Sequence, residues 1–340
     1  MATPTFEQTV LAQRDHWAQV SREQQQREIA NNVAVAQAYD LLDEVPTDVP
    51  LERVSLSRNS AFRWPTKTPA ERDALFVEEV VKEFISYAVG CMFGRYSLDA
   101  PGLILASQGE TMADYLAKVP SPSFAPDPDG VIPVTDPIIP GIDGAWFSDD
   151  VVARFRMFLR VSFGEEHFAE NLRYIEDKLG KPLRQYFLKD FYKEHVQRYK
   201  NRPIYWMFSS RTDGKGVFNA LIYLHRYTQA TPNLVLNEYL REFQAKLRAE
   251  ITTLERDGGN AAAKQADSLR KALTECEDYE RDILFPLASR NLTMDLDDGV
   301  LVNYLRFDRA LVAIPAIEKK RKDVEGWTWP KNPLRPEDAR

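Results

Sequence analysis

Between residues 234 and 285 the apolar residues recur at a spacing that only helices use. Leu236, Leu240, Phe243, Leu247, Ile251 and Leu254 step by four, three, four, four and three. The run Asp257-Gly258-Gly259-Asn260 breaks the chain, and Ala262, Ala266, Leu269, Leu273, Cys276 and Ile283 then restore the pattern. Two striped helices joined by a glycine turn hide both stripes by folding back on each other. The spacing therefore predicts an antiparallel, coiled-coil-like helical hairpin over 234–285.

The rest of the chain fits a mainly α fold with a minor β component. Residues 1–100 read as an N-terminal helical region. Within it, 5 to about 44 form one long helix or two consecutive ones: Phe6, Val10, Trp17 and Val20 keep a helical period, the polar run REQQQRE interrupts it, and Ile29, Val33 and Leu41 resume it. Pro46 and Pro50 end this element. A second helix at 70–93 carries the stripe Phe76, Val77, Val80, Phe84, Tyr87 and Ala88, with Gly90 and Gly94 at its end. Over 101–148 proline and glycine become dense, which predicts a linker or long loop and a domain boundary. A helical domain is expected over 149–320, with helices at 149–161, 165–179 and 183–200. Ser148, Asp149 and Asp150 supply capping chemistry for the first of these. The run PIYWMF at 203–208 is β-like, Gly214 and Gly216 mark a turn, a helix is expected at about 217–228, and VLVNY at 300–304 reads as strand-like. An irregular tail is expected at 321–340.

Several function classes find no support. No apolar run approaches the roughly 18 residues of a membrane span, and the start Met1-Ala2-Thr3-Pro4 lacks the parts of a secretory signal. Cys91 and Cys276 lie far apart in apolar surroundings and read as small core residues, which fits a reducing cytoplasm. His16, His167, His195 and His225 fall into no metal-binding spacing. His167 follows Glu165 and Glu166 on a solvated face, while His195 and His225 read as packed or phosphate-facing. The run MDLDDGV from Met294 reads as an acidic turn, because a calcium loop needs a bidentate Glu where this chain has Arg306. No glycine-rich nucleotide loop and no GxSxG elbow occurs. The sequence thus assigns no catalytic, cofactor-binding or metal-ligating residue.

The net charge of −7 conceals one strongly basic stretch. Lys181 to Arg226 holds ten Lys or Arg against Asp190, Glu194 and Asp213, a net of +7 that leaves −14 for the rest. Lys189, Lys193, Arg198, Lys200, Arg202, Arg211 and Lys215 are the candidate contacts for double-stranded DNA. A helix over 183–200 puts Lys189 and Lys193 on one face, with Arg198 and Lys200 near its C-terminus and Arg202 just before Pro203. The glycine-flanked turn adds Arg211 and Lys215. Tyr186, Phe187, Phe191, Tyr192, Tyr199, Tyr205, Trp206, Phe208, Phe218, Tyr223 and Tyr227 accompany them. Cations with aromatics suit nucleic acid. The same pattern also suits buried rings with Lys and Arg snorkelling from the rim.

Six segments carry a family resemblance. YKNRPIYWMFSS (Tyr199 to Ser210), followed by FNALIYLHRYT (Phe218 to Thr228), is similar to a block in the C-terminal, non-catalytic part of the adenine-specific DNA methyltransferases of BREX phage-defence systems. ISYAVGCMFGRYSLDAPG (Ile85 to Gly102), HFAENLRYIEDKLGKPLRQYFLKDFYKEH (His167 to His195) and LTMDLDDGVLVNY (Leu292 to Tyr304) agree in order, and AYDLLDEVPTDVPLERV at 38–54 resembles the family's entry into this region. Full-length members methylate adenine N6 with S-adenosylmethionine, using a glycine-rich loop and an Asn-Pro-Pro-aromatic tetrad. Neither motif occurs here; the nearest text, NPLRP at Asn332, has Leu334 where the second proline belongs. The resemblance implies a fragment, a separately expressed domain or a split subunit that holds DNA for a methyltransferase catalytic domain. The alternative is a platform that docks other BREX proteins or an acidic partner.

Overall fold

The computed structural model describes residues 3–135 and 146–324. Pro137 and Pro140, the NPLRP run and most of the expected tail lie outside the described residues. In chain order the main elements are α1 (Phe6–Ala38), α2 (Pro69–Met92), α3 (Met112–Lys118), β1 (Val131–Pro133), α4 (Val151–Phe163), α5 (Phe168–Leu179), α6 (Tyr192–Arg198), β2 (Tyr205–Ser209), β3 (Asn219–Tyr223), α7 (Arg241–Asp257), α8 (Asn260–Tyr279) and α9 (Gly299–Arg306). The fold is mainly α with one small sheet. Among the described residues no helix is long and apolar enough to cross a membrane.

The chain divides into two compact units, one of Met1–Tyr87 with Leu159–Lys181 and the other of Ala88–Phe158 with Pro182–Arg340. The described part of 101–148 carries α3 and β1 and falls within the second unit.

In the first unit, α1 is a single helix. Thr5 and Gln8 cap it reciprocally, the Gln8 amide donating to the Thr5 hydroxyl and the Thr5 amide to the Gln8 side chain. Phe6 anchors it, with its ring 4.5 Å from Phe84 and edge-on to Phe163 and Tyr174, while its amide donates to buried Asn171 at 2.9 Å. The polar run at 22–28 does not interrupt the helix. Gln, Glu and Arg are strong helix formers, and Gln19–Glu23 and Gln24–Glu28 hydrogen bonds join successive turns. Apolar period measures burial, and most of α1 is not buried.

In the second unit β3 is the central strand, pairing antiparallel with β1 (Val131 opposite Ile222) and with β2 (Tyr205 opposite Tyr223, Ser209 opposite Asn219). The helix expected at about 217–228 is therefore a strand, followed by a short 3₁₀ turn (Leu224–Arg226). All five residues of β3 are buried, so the run lacks the alternation that marks a half-exposed strand, and so short an apolar run fits either state. The strand-like VLVNY is the converse case: it lies in α9. Asp295 caps the turn before that helix by accepting the Asp297 amide at 2.9 Å, and Asp298 pairs with Arg306 at 2.9 Å. Acidic residues before a helix are a start signal that outweighs the β-branched pair Val300 and Val302.

The hairpin is formed by α7 and α8, joined through Gly258 and Gly259, both at positive φ. Arg241–Glu280, Arg248–Glu277 and Arg270–Glu255 ion pairs run down its side in opposite chain directions, which fixes the helices as antiparallel. Leu247, Ile251 and Leu254 are buried on α7, as are Ala266, Leu269, Ala272 and Cys276 on α8. Leu273 and Ile283 are half-buried, and Leu284 takes the buried position after a π-helical turn (Glu280–Leu284) shifts the register.

Candidate nucleic-acid interface

The basic stretch builds its surface by burying what lies between the charges. A short helix (Leu183–Tyr186), a π-helical turn (Phe187–Phe191) and α6 follow one another, and they bury Leu183, Tyr186, Phe187, Phe191, Tyr192, His195 and Val196. Lys189, Lys193, Gln197 and Arg198 are left exposed. Beyond α6 the chain turns through two consecutive left-handed residues, Lys200 (φ 51) and Asn201 (φ 62). Such a conformation costs a non-glycine residue about 1–2 kcal/mol. The turn is held by the Asn201 amide donating to the Val196 carbonyl at 2.8 Å and the Arg202 amide to Tyr199 at 2.9 Å. Lys200 and Arg202 are exposed on it.

The turn between β2 and β3 adds Arg211 and Lys215. Arg211 pairs with Asp213 at 2.7 Å, and that hydrogen bond holds the Asp213 carboxyl below its ordinary range. Both side chains are about half exposed, so the pair contributes little. Asp213 also accepts the Lys215 amide at 2.9 Å. A Cβ on Gly216 would fall 2.8 Å from the Arg211 amide nitrogen, so this turn closes only with glycine.

All seven candidate cations are exposed. Three of them, Lys189, Lys193 and Lys215, meet along one groove of about 530 Å³, which Gln197, Asn201 and Asp213 also line. Among the described residues Lys189, Lys193, Lys200 and Arg202 form no ion pair with a carboxylate. Two other cations of the stretch are structural. Arg184 makes a bidentate pair with buried Asp150 (2.8 and 3.0 Å) and donates to the Thr135 carbonyl. Arg226 donates to the carbonyls of Asp127 and Pro128 at 2.7 Å.

The aromatics of the stretch are core. Every one of the eleven except Tyr199 is buried, so they offer no stacking surface. His195 is packed as well. Its Nε2 accepts the Tyr205 amide at 3.1 Å, and burial, then Arg198 and Arg95, push its pKa down to about 3. It is neutral at ordinary pH and does not face phosphate. Cys91 and Cys276 are both buried, and neither forms a disulfide. Among the described residues no group of three His, Cys, Asp or Glu is placed to hold a metal ion.

The far wall of the groove, Val312 to Pro315, was not foreseen from the sequence. It is fixed there by a bridge between Leu311 and Phe208 and by the Val312 and Ala313 amides donating to Met207 and Thr212 at 3.0 and 2.7 Å. Nothing in the local pattern signals so distant a pairing.

No family model matches the chain. It is 36% identical over 291 residues to the adenine-specific methyltransferase BrxX of Escherichia coli O9:H4 (strain HS), a match covering 78% of this chain and 23% of that protein. It is also 36% identical over 244 residues to the adenine-specific methyltransferase PglX of Lacticaseibacillus casei (strain Zhang), covering 66% of this chain and 19% of that protein. The chain spans about a fifth to a quarter of the length of these relatives. Most of this chain thus belongs, as the counterpart of one portion, with the BREX adenine-specific methyltransferases of the BrxX and PglX kind.

Proposed function

We propose that this chain is a DNA-holding, non-catalytic part of an adenine-N6 DNA methyltransferase acting in BREX phage defence. Its seven exposed cations contact duplex phosphates, while S-adenosylmethionine and the catalytic tetrad belong to a separate catalytic domain. The observation that supports this reading best is the exposure of all seven cations around one groove and the adjoining turns, with Lys189, Lys193, Lys200 and Arg202 in no ion pair among the described residues, in a protein whose net charge is otherwise negative. Phosphate contacts position a duplex without reading its sequence, so the chain contributes affinity and register and leaves base chemistry to the catalytic domain. The test is titration of the intact chain with labelled duplex over a range of salt. Binding that weakens linearly in log–log salt and ignores sequence is expected; no binding at low salt overturns the proposal.

A second reading, a platform for other BREX proteins, is favoured by a different surface. Val35, Tyr39, Leu42 and Val45 are all exposed in the first unit, Tyr39 by 74%. These four lie close together in the sequence, and exposed apolar residues that form one patch mark a contact surface. Chemical cross-linking with the other BREX components, compared between the parent and a Tyr39→Asp variant, tests it; unchanged cross-links count against it.

A further inference from the structure

The groove under the lysines has a property that a phosphate track does not require. Its floor and far wall are apolar, lined by Leu188, Tyr192, Val196, Met207, Val312 and Ile314. A duplex presents phosphates on a hydrated, convex surface, and it would engage Lys189, Lys193 and Lys215 while leaving that floor wet. We infer that the groove holds one unpaired nucleotide of a bound DNA strand, with its base on the apolar floor and its phosphates on the three lysines.

Size, shape and polarity support this occupant. An apolar cavity of about 150 Å³ takes one benzene ring. At about 530 Å³ this groove has room for a bicyclic base with its sugar, and a single leucine or phenylalanine side chain would leave much of it empty. Pockets for such ligands are mostly apolar, with a few placed polar groups that fix orientation. Here the placed groups are the Gln197 and Asn201 amides, each able to donate to and accept from a base edge. The walls are pre-formed. Besides the Leu311 bridge, the Tyr192 and Tyr304 hydroxyls lie 3.0 Å apart and tie α6 to α9 behind the floor. Three cations against Asp213, itself engaged by Arg211, leave the rim positive, which suits an anionic ligand. No exposed aromatic face lines the groove, so the base is held by shape and edge contacts rather than by stacking.

This inference rests on the phosphate-facing role proposed above, and the experiment separates the two. A short perfect duplex and the same duplex with one bulged nucleotide are titrated against the intact chain by fluorescence anisotropy. The parent is expected to bind the bulged duplex about tenfold more tightly, as burial of part of one base on an apolar surface supplies. Ala313→Trp narrows the groove from an exposed position, leaving too little room for a base, without burying a charge. It should abolish that preference, keep the affinity for perfect duplex and leave the melting temperature unchanged. Equal affinity of the parent for both duplexes overturns the inference while leaving the DNA-holding role intact. A preference that survives in Ala313→Trp also overturns it, because the bulge is then bound elsewhere. A peptide of Asp and Glu with one central Phe is the competing probe. Binding of that peptide that Ala313→Trp abolishes, with no bulge preference in the parent, overturns the inference in favour of an acidic protein segment.

Discussion

Glu275 on α8 accepts a hydrogen bond from the Ser210 hydroxyl at 2.5 Å, and the same oxygen accepts the Val217 amide at 2.8 Å. One carboxylate of the helical hairpin thus closes both ends of the turn that carries Arg211 and Lys215. The most legible element of the sequence is in this way tied to its candidate interface. Replacing Glu275 with Ala leaves two donors without their charged acceptor and should cost about 1–3 kcal/mol in urea unfolding. An unchanged midpoint would mean that the turn closes without the hairpin.

The hairpin itself is a structural core. Leu240 and Leu269 are fully buried. Leu269→Asp and Leu240→Asp each place a charge there and should cost about 3 kcal/mol or more. Thermal melts of the two variants check this, and a melting temperature equal to the parent's would contradict it.

Stability should depend on pH through a carboxyl cluster at the start of β1. The Tyr239 hydroxyl lies 2.8 Å from one oxygen of Asp129 and 2.8 Å from one of Asp149, and a hydroxyl has a single proton to donate. The two carboxyls therefore compete for that one proton. Next to them, burial and then the Asp129 carboxyl push Asp127 up to about 7 from 3.8, against Arg154, and burial also raises Asp149. A carboxyl with a raised folded pKa binds its proton more tightly in the folded chain. Its contribution to stability is complete below about pH 4 and is lost as pH climbs through about 7. Asp127→Asn keeps the neutral form at every pH. Relative to this variant the parent should lose stability from about pH 4 to 7 and then level off, as read by urea unfolding across pH. Parallel curves would contradict the buried proton.

The sequence made local periodicity legible, together with the residues that interrupt it. The hairpin, α2 and the exposure of the seven cations could all be read, since Lys and Arg set between buried aromatics have only the surface left to them. Residues 219–223 could not, because a strand buried on both faces has no alternation to show. Nor could the wall at 312–315, which owes its place to a pairing with Phe208 about a hundred residues earlier in the chain. The aromatics of the basic stretch allowed a stacking surface or a core, and only the packing decided for the core. Arg184 and Arg226 looked like members of the same cationic set; buried Asp150 and the carbonyls before β1 claim them instead.

The cationic track is tested most directly by the salt dependence of duplex binding in an Arg198→Gln, Lys200→Gln, Arg202→Gln triple variant. These residues lie at the end of α6 and on the left-handed turn beyond it, where all three are exposed. If they bind phosphates, the folded variant should hold every duplex more weakly and to a similar degree. Its log–log salt slope should fall by about 0.9 for each phosphate no longer neutralised. A variant that melts like the parent and binds duplex with the parent's affinity and slope would contradict the track.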